Sequence, residues 1–177
     1  IVLSDLASTK FNWHKIWPCL LVGLLGLASF CGYSYLGLRW HALGVFDQYD
    51  VIFDADPIVR ASSLAHGWEQ PSIAHPGLYV VSLPLRVVSK LAIMVHIASN
   101  ERTFRDMLVL GVAPLFGSLT VIGIYLLARG IGHDILNALL FSALFSLSFS
   151  QVVFSAVPKH FAISGFCLTA ALLMALS

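Results

Sequence analysis

The stretch IWPCLLVGLLGLASFCGYSYLGL, residues 16–38, contains no charged side chain. As an α-helix with a rise of about 1.5 Å per residue, it is long enough to span the roughly 30 Å of hydrocarbon in a bilayer. The apolar core of a cleavable signal peptide is shorter, about 7–15 residues. We therefore expect a membrane anchor that is retained. Lys10 and Lys15 precede it and favour a cytoplasmic N-terminus.

The chain as a whole is apolar. Of its 177 residues, 58% are hydrophobic and 11% are charged, and the mean hydropathy is +0.87, whereas soluble domains carry about 25% charged residues. The composition predicts an integral, multi-pass membrane protein. The net charge of +1, without a basic patch interleaved with aromatic residues, does not indicate nucleic acid binding. The cysteines lie in apolar runs at spacings that fit neither a zinc site nor a disulfide framework: Cys19, Cys31 and Cys167.

Three further apolar segments, 107–128, 135–155 and 161–177, are predicted to cross the bilayer. We therefore expect an all-α polytopic membrane protein with about four transmembrane helices, forming a single transmembrane domain over 1–177. Because the sequence begins at Ile1 rather than Met and stops inside an apolar run, we expect it to be the N-terminal part of a longer protein.

The segment 39–106 is predicted to be a large loop outside the cytoplasm, and it holds seven of the nine acidic residues. Asp56 followed by Pro57 is typical of a helix start, with Asp as the N-cap and Pro in the first turn. A short juxtamembrane helix is therefore expected over 57–66. A second juxtamembrane helix is expected over 77–98.

The sequence leaves open whether this second helix crosses the bilayer. The segment 77–99 is long enough to span, but it carries Arg86 and Lys90 on one helix face. Each charge at the bilayer centre costs about 2.5–3.5 kcal/mol. We favour a helix on the membrane surface, with its basic face toward headgroups or an anionic ligand. The alternative, a fifth spanning helix, would place Lys159 on the opposite side from Asp56.

The pair Asp54 and Asp56 is the sharpest chemical feature of the loop. Two carboxylates separated by one residue can bind a divalent cation, or one can act as a general base that the other tunes. Asp56 could instead be only a helix cap and Asp54 only a solvated loop residue. We interpret Asp47 and Asp50 as ordinary solvated loop residues.

Basic residues follow the acidic pair in the sequence. His75 is held extended by Pro76 and could aim its imidazole at the site, or it could be a simple turn residue. Other basic side chains could contact a phosphate or extend to lipid headgroups. They are Arg86, Lys90, Arg102, Arg105 and Lys159.

Four short motifs occur in a recognisable order: FDADP at 53–57, HPGLY at 75–79, IYLLARGIG at 124–132 and FSAVPK at 154–159. Over residues 16–177 this order resembles the N-terminal portion of GT-C fold glycosyltransferases. The similarity is strongest to the type formed by dolichyl-phosphate-mannose protein mannosyltransferases and aminoarabinose transferases.

The resemblance implies a sugar donor linked to polyprenyl phosphate and transfer to a glycan, lipid or protein acceptor outside the cytoplasm. Asp56 matches the family's acidic base in the first external loop, with Asp54 as its neighbour. His75 matches a family histidine at the start of a juxtamembrane helix, and Arg105 matches a basic residue before the second span. Relatives often carry Asp or Glu where this chain has Lys159, which would suit a phosphate contact instead.

The motifs do not indicate a definite cofactor. Whether Asp54 and Asp56 bind a divalent cation stays open. The expected location is the plasma or inner membrane, or the endoplasmic reticulum, with a cytoplasmic N-terminus and 39–106 external. A transporter or flippase, or a membrane assembly subunit, is the competing interpretation. A transporter would be expected to carry functional charges inside its spans, and the clear spans have none.

Overall fold

The computed structural model describes residues 13–47, 84, 87–97, 99–158 and 160–176, with backbone alone at 13–15, 47, 101–103, 105 and 106. Regular structure within these ranges is helical. The helices are α1 (Trp13–Ala42), a 3-10 turn (Val45–Asp47), α2 (residues 87–94), α3 (Glu101–Gly130), α4 (Ile135–Leu147), α5 (Phe149–Ala156) and α6 (Phe161–Leu176).

Two of the described helical segments, Ile16–Ala42 and Met107–Gly130, are long and apolar enough to cross a membrane. A third span results if α4 and α5 are taken together as one bent span. Helix α6 is apolar, but it has only 16 residues. The prediction of an all-helical membrane protein is thus confirmed for the described residues with two or three spanning helices, and the count of four stays a prediction.

Helix α3 is the centre of the bundle, and it packs against α1, α4, α5 and α6. Half of its most apolar stretch is buried inside the protein, against 17% for α1. Small residues permit this packing. A Cβ on Gly26 of α1 would lie 2.7 Å from the Ile122 side chain, and one on Gly117 would overlap the Ser155 hydroxyl. Close approach at glycine is a common way for helices to associate in membranes.

Two apolar clusters show that α1 and α3 run in opposite directions. One contains Val22, Tyr125, Ala128 and Ala138, so it joins the first half of α1 to the end of α3 and the start of α4. The other consists of Phe46, Val153 and Val157, with Trp40, Val45, Leu110 and Phe154 packed against them. We call this second end of the bundle the loop end. Here α1 finishes, α3 has its first turns and α5 meets α6.

The turn between α3 and α4 is tight. Gly132 has a φ of 96°, and its amide donates to the Arg129 carbonyl at 3.2 Å while the His133 amide donates to Ala128 at 3.0 Å. This pattern is a Schellman cap. Asp134 then caps α4, because its carboxylate accepts a 3.0 Å hydrogen bond from the Asn137 amide.

Two predicted helices differ from the observed ones. The single helix expected over 135–155 is divided at Ser148, and its two parts meet at an angle of 61°. The helix expected over 77–98 ends at residue 94, because His96 has a φ of 57° and another Schellman cap stops the helix. In that cap the Ile97 amide donates to the Ala92 carbonyl at 2.9 Å. The helix expected over 57–66 lies outside the described residues.

Candidate functional site

The structure describes only part of the predicted site. Asp54, Asp56, His75, Arg86 and Lys159 lie outside the described residues. The remaining basic residues are Lys90, an exposed residue of α2, and Arg102 and Arg105, which belong to the first turns of α3.

The chain leaves α1 toward the aspartates through a firmly packed residue. Phe46 is 3% exposed and is seated against Val153 and Val157 of the α5 region. The ring of His41 stacks on it with centroids 6.3 Å apart. The point from which the chain departs toward Asp54 is therefore fixed on the loop end of the bundle, next to the turn between α5 and α6.

Helix α2 exposes an apolar surface. Ser89 and Ala92 are buried, and they lie three residues apart on one face. The exposed side chains include Val87, Val88, Leu91 and Met94, together with Lys90. A helix that exposes apolar side chains and a lysine is suited to the bilayer surface, where the ammonium group reaches the headgroups while the apolar residues enter the hydrocarbon boundary.

The turn between α5 and α6 brings a further basic group, His160, that the sequence interpretation did not single out. It is half-buried, and its ring centroid lies 4.7 Å from that of Phe161. The ring centroids of Phe161 and Phe154 are 4.8 Å apart. Position alone could have suggested it, because it follows Lys159 in the predicted external turn.

A buried cluster of neutral polar groups lies at the break between α4 and α5. Tyr33 of α1 is 4% exposed, and its hydroxyl donates to the Ser146 carbonyl at 2.7 Å. The same hydroxyl is within hydrogen-bonding reach of the Ser29 and Gln151 side chains. The Gln151 amide also donates to the Gly117 carbonyl of α3 at 3.0 Å. Four helices, α1, α3, α4 and α5, therefore take part in hydrogen bonds inside the apolar bundle.

An apolar cavity of about 360 Å³ opens beside this cluster. Its polar wall is formed by Ser29, Tyr33 and Ser146. The remaining lining residues are Leu25, Ala28, Gly32, Ala143, Leu147 and Val152. A cavity with this lining can receive a hydrocarbon chain and orient one polar group.

Another cavity of about 360 Å³ lies at the opposite end, between α3 and α4, and His133 and Phe141 are among its lining residues. The ring centroids of His133 and Phe141 are 5.1 Å apart, and the Arg129 guanidinium donates to the His133 carbonyl at 2.7 Å. This cavity is remote from the loop end, and Lys90, the predicted site residue whose side chain the structure describes, does not line it.

Among the described residues there is no group of three or more His, Cys, Asp or Glu side chains that could hold a metal ion. Asp54 and Asp56 lie outside those residues. Whether Asp54 and Asp56 bind a divalent cation therefore stays open.

The chain was compared with known proteins by family model, by sequence and by fold. It matches no protein-family model, no curated protein and no solved structure.

Proposed function

We propose that the chain belongs to a membrane glycosyltransferase that moves a sugar from a polyprenyl-phosphate donor to an acceptor on the non-cytoplasmic side. The proposal rests first on the order of the FDADP, HPGLY and FSAVPK motifs. The observation that carries it further is the grouping of helix ends. The departure point at Phe46, the first turns of α3 and the turn at His160 all belong to the loop end.

This grouping matters because the reaction needs several chemical groups within one small volume. The acceptor needs a base, and the donor phosphate needs cations. Arg102 and Arg105 are in the first turns of α3, and Lys159 follows the Val157 cluster in sequence. The aspartates follow Phe46 in sequence, with Asp56 ten positions along the chain. The described points from which these segments depart, namely Phe46, the start of α3 and the turn between α5 and α6, lie at the same end of the bundle.

The chemistry that follows is a single displacement. Asp56, at the start of the helix expected over 57–66, stays ionised near the positive helix end and accepts the acceptor's proton. The acceptor oxygen or nitrogen forms a bond to the sugar carbon as the bond from that carbon to the phosphate oxygen breaks. The bonding electrons leave with the lipid phosphate, where Lys90, Arg105 and Lys159 supply positive charge. Attack opposite the leaving group inverts the sugar carbon.

The lipid part of the donor needs apolar surface beside this site. Such surface is provided by exposed leucines of α1 and α4. The apolar cavity near Tyr33 provides more of it inside the bundle. Helix α2, with its exposed apolar residues and Lys90, is suited to the headgroup region where a lipid phosphate lies.

The test is sugar transfer by the full-length protein in liposomes, with a panel of labelled polyprenyl-phosphate sugars as donors. Asp56→Asn is expected to lower the transfer rate by about 10²–10⁴-fold, because general-base catalysis contributes about that much. Asp47→Asn is the matched control, since it removes a carboxylate from the same loop, and it should keep the wild-type rate. Full activity of Asp56→Asn would refute the proposed role of that residue.

One observation favours a second candidate, a transporter or flippase. Broken helices whose backbone polar groups face a binding site occur in many transporters. The break at Ser148 lies beside the cluster of Tyr33 and Gln151, inside the bundle. This candidate predicts flux of a polar solute or lipid headgroup across protein-containing liposomes, which Gln151→Leu abolishes and Asp56→Asn leaves unchanged. A pure assembly subunit would show neither sugar transfer nor flux.

A further inference from the structure

The break between α4 and α5 does not occur at a helix-breaking residue. Residues 135–156 contain neither proline nor glycine, the usual causes of a sharp kink. This run is apolar enough that a continuous helix is the natural expectation from sequence. Ser148, between the two helices, has φ −62° and ψ 141°, which is extended backbone. The hydrogen bonds around the break must therefore account for it.

The contacts at the break show what satisfies the interrupted backbone. Ser148 donates from its amide and its hydroxyl to the Phe145 carbonyl, at 3.1 and 2.8 Å. The Ser146 hydroxyl donates to the Ala143 carbonyl at 2.7 Å. These bonds are local and could form in many serine-containing segments. The Ser146 carbonyl is different, because its partner is the Tyr33 hydroxyl from α1, 113 residues away in sequence.

In a continuous helix the Ser146 carbonyl would instead accept from the amide of Ser150, four residues later. Tyr33 therefore takes the place of a backbone amide. Inside a membrane a carbonyl without a partner is costly, so loss of one partner favours the arrangement that supplies the other.

We infer that the Leu147–Phe149 break is a two-state hinge, held bent by the Tyr33 hydroxyl, whose other state is a continuous helix with the Ser150 amide bonded to the Ser146 carbonyl. This inference does not depend on the glycosyltransferase proposal. Straightening the hinge would change the packing at the loop end, because Phe46 packs against α5. A helix of eight residues is about 12 Å long, so turning it through 61° moves its tip by about 12 Å.

The hinge is tested with the full-length protein in lipid nanodiscs, in a background where the three native cysteines are replaced by alanine. Spin labels are placed at Leu38 and Phe154, near the close approach of Gly37 to Ala156. Strong dipolar broadening is expected for the bent state, because Gly37 and Ala156 approach each other closely in it. Tyr33→Phe is expected to reduce the broadening and add a population about 10 Å longer.

Two further variants make the result decisive. Tyr35→Phe removes a hydroxyl from the same helix at a position that is 67% exposed, and it should leave the broadening unchanged. Ser150→Pro fits the first turn of α5 but clashes with the Ser146 carbonyl in a continuous helix. Added to Tyr33→Phe, it should restore the bent distance.

Wild-type broadening in Tyr33→Phe would show that the hydroxyl does not hold the bend. A longer distance that Ser150→Pro does not reverse would show that the second state is not the continuous helix. Either result overturns the inference.

Discussion

The contact between Gly37 of α1 and Ala156 of α5 permits a quantitative test of the packing at the loop end. A Cβ added to Gly37 would lie 2.7 Å from the Ala156 carbonyl oxygen. The atom that it meets belongs to the backbone, so it cannot rotate away as the end of a side chain could. Gly37→Ala should therefore force the two helices apart by about 0.7 Å, the shortfall from ordinary contact at about 3.4 Å.

The magnitude follows from two opposing effects. Overpacking of this kind costs about 1–3 kcal/mol. Alanine is the better helix former by about 0.8–1 kcal/mol, which offsets part of that cost. The net loss in the free energy of unfolding should be about 0–2 kcal/mol.

Gly23→Ala on the same helix separates the two effects. Nothing lies within 4 Å of a Cβ at Gly23, so this variant gains the helix propensity without the clash. The difference between the two variants should equal the overpacking cost alone, about 1–3 kcal/mol. The free energy of unfolding can be measured by steric trapping of the full-length protein in bicelles. Equal stability of the two variants would refute the close approach of α1 and α5.

Substitutions at two more positions test the helix caps. Asp134→Ala should lower the free energy of unfolding by about 0.5–2 kcal/mol, because α4 loses its N-cap, while Asp134→Asn keeps a capping oxygen; equal losses in steric trapping would exclude the capping role. His96→Gly should relieve the cost of a left-handed conformation, of order 1 kcal/mol, and slow hydrogen exchange at the Ile97 amide about fivefold. His96→Ala should instead speed that exchange, and identical rates in the two variants would contradict the Schellman cap at His96.

The sequence could predict the parts of this fold that depend on local composition. Uncharged runs such as 16–38 and 107–128 are expected to form helices in an apolar setting. Gly132 favours a left-handed turn. The break at Ser148 could not be predicted, because its decisive partner, Tyr33, is distant in sequence. A polar side chain in an apolar run was still a usable signal, since Gln151 inside the bundle needs a partner.

The candidate site likewise has a part that local sequence predicted and a part that it could not predict. Its acidic pair was chosen from local spacing and a family resemblance, and both residues fall outside the described ranges. The frame around it depends on long-range packing, which no local pattern contains. Phe46 illustrates this, because nothing in the surrounding sequence indicates that it is seated against Val153 and Val157.

The position of the helix ends bears on the alternative that the sequence left open for 77–99. Trp40 and Val45, at the end of α1, share one apolar cluster with Leu110 of α3. The chain between them must therefore return to the end from which it left. A single crossing would deliver Glu101 to the opposite end, and two crossings would need a second apolar segment of spanning length between 48 and 100, which the sequence does not contain. The packing thus places the end of α1 and the start of α3 together at the loop end, whereas a common side for Asp56 and Lys159 stays a prediction.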